Sequence, residues 1–383
     1  MALPRADWNY PTAIRFGAGR AAELPDACRD LGIKRPMLVT DPALGEMDMV
    51  RDALAATGAG LFCAIHANPV GGDVEAGLQA YREGNHDGVI AMGGGSALDV
   101  GKVIAFMSGQ SRPVWDFEDR EDWWTRADPV GIAPIVALPT TAGTGSEVGR
   151  AGVILDDEAG LKKIVFHPKM LPGIVILDPV LTVGLPPKVT AATGMDALSH
   201  CIEAYCAPGF HPMADGIAAE GARLIHRWLV RATEEGSDLE ARGNMLVAAA
   251  MGATAFQKGL GAMHALSHPI GAVAGTHHGL TNAVLMPYVL AFNRVEAGER
   301  LARLAAYLGL ADPSFEGFLD WVLDLRRRLG IPHTLGELGV SQGDIDRLAQ
   351  MAEEDPSAAG NPRRFDAAAA RRVLEAAFSG QIE

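Results

Sequence analysis

The chain has 383 residues, 48% of them hydrophobic and 21% charged, with a formal net charge of −14. That length exceeds what one core fills, so two domains of an ordinary globular protein are expected. So acidic a chain, with no basic run, argues against nucleic acid and against an anionic membrane surface as partners.

From the N-terminus, "MALPRADWNYPTAIRF" lacks the apolar core of a signal peptide. Short β-rich runs then occur at 36–40, 61–65, 88–94, 133–139 and 173–178, with helix-like segments between them at 44–57, 73–84 and 96–107. Strand and helix in this alternation predict a parallel sheet flanked by helices. The segment "FEDREDWWTRADP" (117–129) interrupts the rhythm and reads as a surface excursion. After Pro186 and Pro187 the strand signals stop. Ala- and Leu-rich stretches with helical period follow at 188–206, 213–235 and 239–257. The predicted fold is therefore α/β plus all-α, with a Rossmann-like parallel-sheet domain over 1–187 and a helical domain over 188–383. The longest apolar stretch, "MLVAAAMGATAF" at 245–256, is too short to span a bilayer. It predicts a buried helix, and a cytoplasmic location is expected. Cys28, Cys63, Cys201 and Cys206 form no CxxC pair, so they read as reduced structural thiols.

Two glycine clusters compete as phosphate cradles. "GAGRAA" (17–22) fits G-x-G-x-x-A, and Asp41 lies where a ribose-binding acid belongs; the same residues also suit a tight turn leading into a surface helix. "AMGGGSALDVGK" (91–102) follows a strand, and Ser96 is expected to N-cap the next helix. Three consecutive glycines let a backbone approach a ligand, and N–H groups at a helix start favour a pyrophosphate. A third loop, "PTTAGTGSE" (139–147), offers the hydroxyls of Thr140, Thr141, Thr144 and Ser146 at the carboxyl end of a strand, where open α/β sheets bind ligands.

Histidines cluster in "GAMHALSHPIGAVAGTHHG" (261–279). His264 and His268 share a helical face until Pro269, and His277 and His278 follow a Gly-containing loop. In "TGMDALSHCIEAY" (193–205), Asp196 and His200 stand i, i+4. An Asp/His pair with two further histidines makes a set of three nitrogens and one oxygen. That set suits Fe²⁺, Zn²⁺ or Mn²⁺ better than Ca²⁺ or Mg²⁺.

"GMDALSHCIEAY", "GAMHALSHPIGA" and "HHGLTNAVLMPY", with "GGGSALDVGK" and "PTTAGTGSEV", resemble the iron-containing (group III) alcohol dehydrogenase family, collinearly from about Tyr10 to Asn293. The resemblance implies metal ligands at Asp196, His200, His264 and His278. It places His268 near the nicotinamide, as a candidate for orientation or proton transfer, and makes His277 a neighbour of a ligand only. It assigns cofactor contacts to Asp41, Asn68, Gly95, Ser96, Thr140, Thr141, Thr144 and Lys162. It thereby puts the pyrophosphate on the second glycine cluster, and Gly94, Asp99 and Ser146 of the same segments complete the candidate set. The expected activity is hydride transfer between NAD(H) and a small primary alcohol or aldehyde, with Fe²⁺ or alternatively Zn²⁺ or Mn²⁺, in a homo-oligomer. Asp41 would repel a 2′-phosphate and favour NAD(H). A glycerol-dehydrogenase-like or dehydroquinate-synthase-like enzyme and a catalytically silent metal- or nucleotide-binding protein are the alternatives. Lys258 and Arg150 are cations that could meet an anionic substrate tail or serve structure alone.

Overall fold

The structure is a computed structural model and describes residues 12–382. Most of the N-terminal run discussed above, including Tyr10, lies outside the described residues. The chain forms two compact units that divide between Gly184 and Leu185.

The first unit is built on a six-stranded sheet of order β1-β8-β5-β4-β2-β3, in which every neighbouring pair is parallel. Its strands are β1 (Ala13–Phe16), β2 (Pro36–Val39), β3 (Gly60–Phe62), β4 (Gly88–Gly93), β5 (Ile135–Pro139) and β8 (Ile174–Leu177). The helices α1 (Leu24–Asp30), α2 (Asp48–Thr57), α3 (Gly71–Glu83) and α4 (Gly95–Met107) connect them. Parallel strands covered on both faces read as unbroken apolar runs. Accordingly β2, β4, β5 and β8 are buried along their whole length, whereas the edge strand β1 exposes Ile14 and Phe16. The chain moves outward from β2 to β3 and then crosses in the other direction from β4 to β5 and β8. The carboxyl ends of β2, β4 and β5 therefore lie side by side at the reversal, where open α/β sheets hold ligands.

One element differs from the parallel expectation. Residues 151–166 form an antiparallel hairpin, β6 (Ala151–Asp156) and β7 (Leu161–Phe166), outside the main sheet. The β6 side chains alternate between half-buried and buried, the period-2 pattern of a strand with one covered face. The excursion at 117–129 is largely exposed, but its first residue, Phe117, is fully buried against Phe106. The Asp119 N–H bonds Ile164 O of the hairpin at 2.7 Å.

The second unit is helical: α5 (Pro187–Cys206), α6 (Pro212–Glu234), α7 (Leu239–Ala255), α8 (Ala262–Ala274), α9 (His278–Phe292), α10 (Arg294–Leu308), α11 (Phe315–Arg328), α12 (Ile345–Glu354) and α13 (Ala367–Ser379). Pro187 at the first turn of α5 fixes φ where no N–H partner is lost. The small residues that follow let α5 bury nearly all its circumference, so it is a central rather than a surface helix. The apolar stretch at 245–256 belongs to α7, and no described helix is long and apolar enough to cross a membrane. Pro269 lies inside α8 without ending it; the helix continues to Ala274.

Candidate active site

In the first unit the two glycine clusters differ in their hydrogen bonds. The N–H groups of Gly19 and Ala21 donate to the buried carboxylate of Asp178 at 3.0 and 2.8 Å. Two amides of "GAGRAA" are thus engaged by an anionic side chain of the chain itself. The segment is a turn into a 3₁₀ segment and α1.

The second cluster is arranged differently. Gly94 is the N-cap of α4, with no side-chain cap, and Ser96 lies within the first turn. The expected N-cap role of Ser96 is therefore corrected. Its hydroxyl instead donates to Ala67 O at 2.7 Å, tying the helix start to the loop that carries Asn68. Asn68 Oδ1 in turn accepts from Lys162 of the hairpin at 3.3 Å. Gly93, Gly94 and Gly95 bring three loops together. Cβ atoms built on them would lie 3.3 Å from Asp41 Oδ2, 3.5 Å from Thr141 Cγ2 and 2.6 Å from Thr144 Cγ2 respectively. The Thr140 N–H bonds Gly93 O at 2.9 Å, as the β4–β5 pairing runs out. Asp41 accepts from the Leu44 N–H at 3.1 Å through Oδ1, while Oδ2 faces Gly93.

Asp99 and Ser146 bond to each other, Ser146 Oγ donating to Asp99 Oδ1 at 2.5 Å. The other Asp99 oxygen accepts from the Val153 N–H at 3.0 Å. The buried Lys102 ammonium completes this node, donating to Ser146 O at 2.9 Å and to Ala151 O, 3.2 Å from Asp99. Sequence reasoning left Lys102 unused, although a lysine seven residues after a helix-opening glycine is a visible signal. Beside it Glu147 is fully buried. Desolvation pushes its carboxyl up to about 7, against the opposing pull of its own backbone N–H and of Lys102.

In the second unit, helices α5, α8 and α9 converge. Ligand atoms of Asp196, His200 and His264 lie within 4.8 Å of one another, all from buried side chains. Asp196 Oδ1 is 4.0 Å from His264 Nε2 and 3.6 Å from His278 Nε2. The rings of His200 and His264 stack at 4.8 Å, and that of His264 stands 5.2 Å from His278. Close approach of α9 to α5 makes this possible. A Cβ on Gly279 would lie 2.5 Å from Ala192 O and 2.9 Å from Asp196 Cβ. The helix start at His278 is capped by His277, whose Nδ1 accepts the Leu280 N–H at 3.4 Å.

Burial opposes ionisation of Asp196, but His200, His278 and His264, with a hydrogen bond from Asn282, outweigh it and bring its carboxyl down to about 2. Asn282, which the sequence reading did not single out, stands one helical turn after His278. Its Nδ2 is 2.9 Å from Asp196 Oδ1 and 3.2 Å from Nε2 of both His264 and His278. Three lone-pair atoms thus converge on the electropositive end of a neutral amide. Such a set suits a divalent transition ion. Behind the rings, His264 Nδ1 meets Glu203 Oε2 at 2.5 Å, and His278 Nδ1 meets Ser267 Oγ at 3.3 Å. His268 stacks on His278 at 5.4 Å and bonds Asp355 through Nδ1 at 2.8 Å.

The two cations considered for a substrate tail differ in their surroundings. Lys258 is paired with Asp215 at 2.5 Å and bonded to Tyr205 O, and Arg150 lies over the Phe166 ring. The thiols of Cys201 and Cys206 are pushed up to about 12 by burial, which makes them inert as nucleophiles.

A parallel α/β unit with loops gathered at its strand ends is joined in sequence to a helical unit carrying a buried Asp196–His200–His264 cluster with His278 beside it, and this is the frame of a metal-dependent enzyme. The chain belongs to the iron-containing alcohol dehydrogenase family. Residues 11–179 match the family described as iron-containing alcohol dehydrogenase, and residues 190–378 match the Fe-containing alcohol dehydrogenase family, C-terminal. The 4-hydroxybutyrate dehydrogenase of Cupriavidus necator is 40% identical over 379 residues, covering 96% of this chain and 98% of that protein. The crystal structure of a 1,3-propanediol oxidoreductase superposes with a TM-score of 0.92 at 34% identity, covering 98% of this chain and 100% of that one. A sulfoacetaldehyde reductase from Bifidobacterium kashiwanohense, solved with NAD+, gives a TM-score of 0.87 at 31% identity, covering 98% and 99%. The protein is an alcohol/aldehyde oxidoreductase of this family.

Proposed function

We propose that the protein interconverts a short primary alcohol and its aldehyde using NAD(H) and one divalent ion, Fe²⁺ first, with Zn²⁺ or Mn²⁺ as alternatives. The observation that carries this reading is the convergence of Asp196, His200 and His264 onto one small volume, with His278 Nε2 3.6 Å from Asp196 Oδ1. The bound ion supplies Lewis acidity toward the substrate oxygen. The chain's own residues do the rest. Asp196 contributes the negative charge and the three imidazoles the neutral donors. His268, with Nδ1 engaged by Asp355, keeps Nε2 to take the hydroxyl proton toward solvent.

On the nucleotide side, the amides at the start of α4, from Gly94 to Ser96, hold the pyrophosphate, with Thr140, Thr141 and Thr144 on the neighbouring loop. Asp41 accepts from ribose hydroxyls, which selects NAD(H) over NADP(H). Asn68 and Lys162 act as a pair beside them, while Asp99 and Ser146 brace the loops. The substrate we infer is a short alcohol with a second polar end. Relatives named for 4-hydroxybutyrate and for 1,3-propanediol support this class.

The test is removal of metal, followed by anaerobic restoration of Fe²⁺, Zn²⁺ or Mn²⁺ separately. Each sample is assayed with NAD+ on C2–C6 alcohols, diols and 4-hydroxybutyrate. Activity returning with one ion in the wild type, and no ion bound by D196A, is the expected result. Full activity after verified metal removal would overturn the reading.

A further inference from the structure

We propose that Glu203 is a positioning residue that sets the tautomer and direction of His264 and locks the two ligand-bearing helices α5 and α8 together. The inference rests on the reading of the Asp-His₃ cluster as a metal site.

Asp196, His200 and Glu203 stand at i, i+4 and i+7 of α5, one continuous face. Two of them point ligand atoms into the cluster. The third reaches across to α8 and engages two donors at once. Glu203 Oε1 accepts the Met263 N–H at 2.7 Å, and Oε2 takes the His264 Nδ1–H at 2.5 Å. All three groups are buried. Helix α8 has Gly261 as its N-cap and no side-chain cap of its own. A helix start leaves N–H groups that must find partners, and its positive end attracts a carboxylate. Glu203 answers that need for Met263, as Asn361 Oδ1 does for Ala262 at 3.2 Å.

The second donor carries the functional consequence. A neutral imidazole has one N–H and one lone pair. Because Glu203 can only accept, it holds the proton on Nδ1 and leaves the lone pair on Nε2, the atom 4.0 Å from Asp196 Oδ1. A partner that donated would reverse the tautomer and turn an N–H toward the ion. The carboxylate also makes the ring a stronger donor, and such partners typically change metal affinity by about 10–100-fold.

The experiment compares wild type with E203Q. Gln is isosteric, but its amide can accept from only one of the two donors, and its NH₂ end must face the other. Zn²⁺ and Co²⁺ affinities are measured by competition with a chelator, and the melting temperature is measured on metal-free protein. A tenfold or greater loss of affinity for both ions in E203Q is expected. A smaller loss, whatever happens to the metal-free melting temperature, overturns the proposal, because a merely structural brace moves stability and not affinity. If E203Q does not fold, E203D keeps the charge but withdraws it by one methylene. The same loss is expected there, and near-wild-type affinity overturns the proposal. If wild type itself binds neither ion, the metal reading fails; if wild type binds and E203Q binds equally, only the role of Glu203 fails.

Discussion

Glycines 93–95 allow packing demands to be separated from ligand approach one residue at a time. Gly93 has φ +149, and a Cβ there would lie 2.7 Å from Ala97 Cβ, so G93A is strained in backbone and in contact. Gly95 has ordinary backbone, but its Cβ would lie 2.6 Å from Thr144 Cγ2 and 3.1 Å from Oγ1. Overpacking of that kind costs about 1–3 kcal/mol. Gly94 has φ −77, and its nearest neighbours would be at 3.5 and 3.7 Å, ordinary van der Waals contact. The fold therefore does not require glycine at 94, and G94A costs at most about 1 kcal/mol through weaker N-capping. A pyrophosphate on the helix start does require it, since a methyl group would stand where the phosphate oxygens approach the amides. The expected order of thermal stability is G94A above G95A above G93A. NADH affinity of G94A, read by fluorescence titration, should fall at least about tenfold, or ~1.4 kcal/mol. Wild-type NADH affinity in G94A would show that the glycines serve packing alone and that the cradle lies elsewhere.

Three further predictions use the same unit. Glu147 ordinarily titrates near 4.5 but is pushed up to about 7 in the fold. The unfolded chain thus releases its proton first, and native stability is lost as pH rises between those values. E147Q escapes this, so its urea-unfolding free energy relative to wild type should rise by roughly 2–3 kcal/mol between pH 5 and pH 8.5; a pH-independent difference refutes the shift. D178A removes the acceptor for the Gly19, Ala21 and Val180 N–H groups. It should cost about 3 kcal/mol and leave NADH affinity unchanged; an affinity loss like that of G94A would return the phosphate to "GAGRAA". D41A should raise the ratio of NADPH to NADH specificity constants at least about tenfold, and an unchanged ratio would mean that Asp41 serves only its turn with Leu44.

Much of this was legible before any coordinates. The buried parallel strands read as continuous apolar runs, and α5, α6 and α7 start within a residue of where the periodicity and prolines put them. The i, i+4 pairs at 196/200 and 264/268 fall on helices as expected. The hairpin at 151–166 lies outside the strand–helix rhythm, and its sequence signals are only local: the alternation of its first strand and the Asp-Asp-Glu-Ala-Gly turn. Ser commonly caps helices, so the sequence predicts a cap at Ser96; the turn instead begins at a glycine, leaving the serine to bond Ala67 O.

The sequence by itself determined which local structures form and which residues carry chemistry, because propensity, periodicity and turn chemistry act over a few residues. Only the tertiary structure decided what each group bonds to. Asp178 closes the first glycine cluster from 159 residues away, Glu203 engages His264 from 61 away, and Asp355 engages His268 from 87 away. A one-residue pattern cannot encode those partners. They exist because strand order brings β8 beside β1, because the start of α8 lies beside Glu203 of α5, and because α12 packs on α8. Buried charges and amides must then find partners among whatever groups the packing puts in reach.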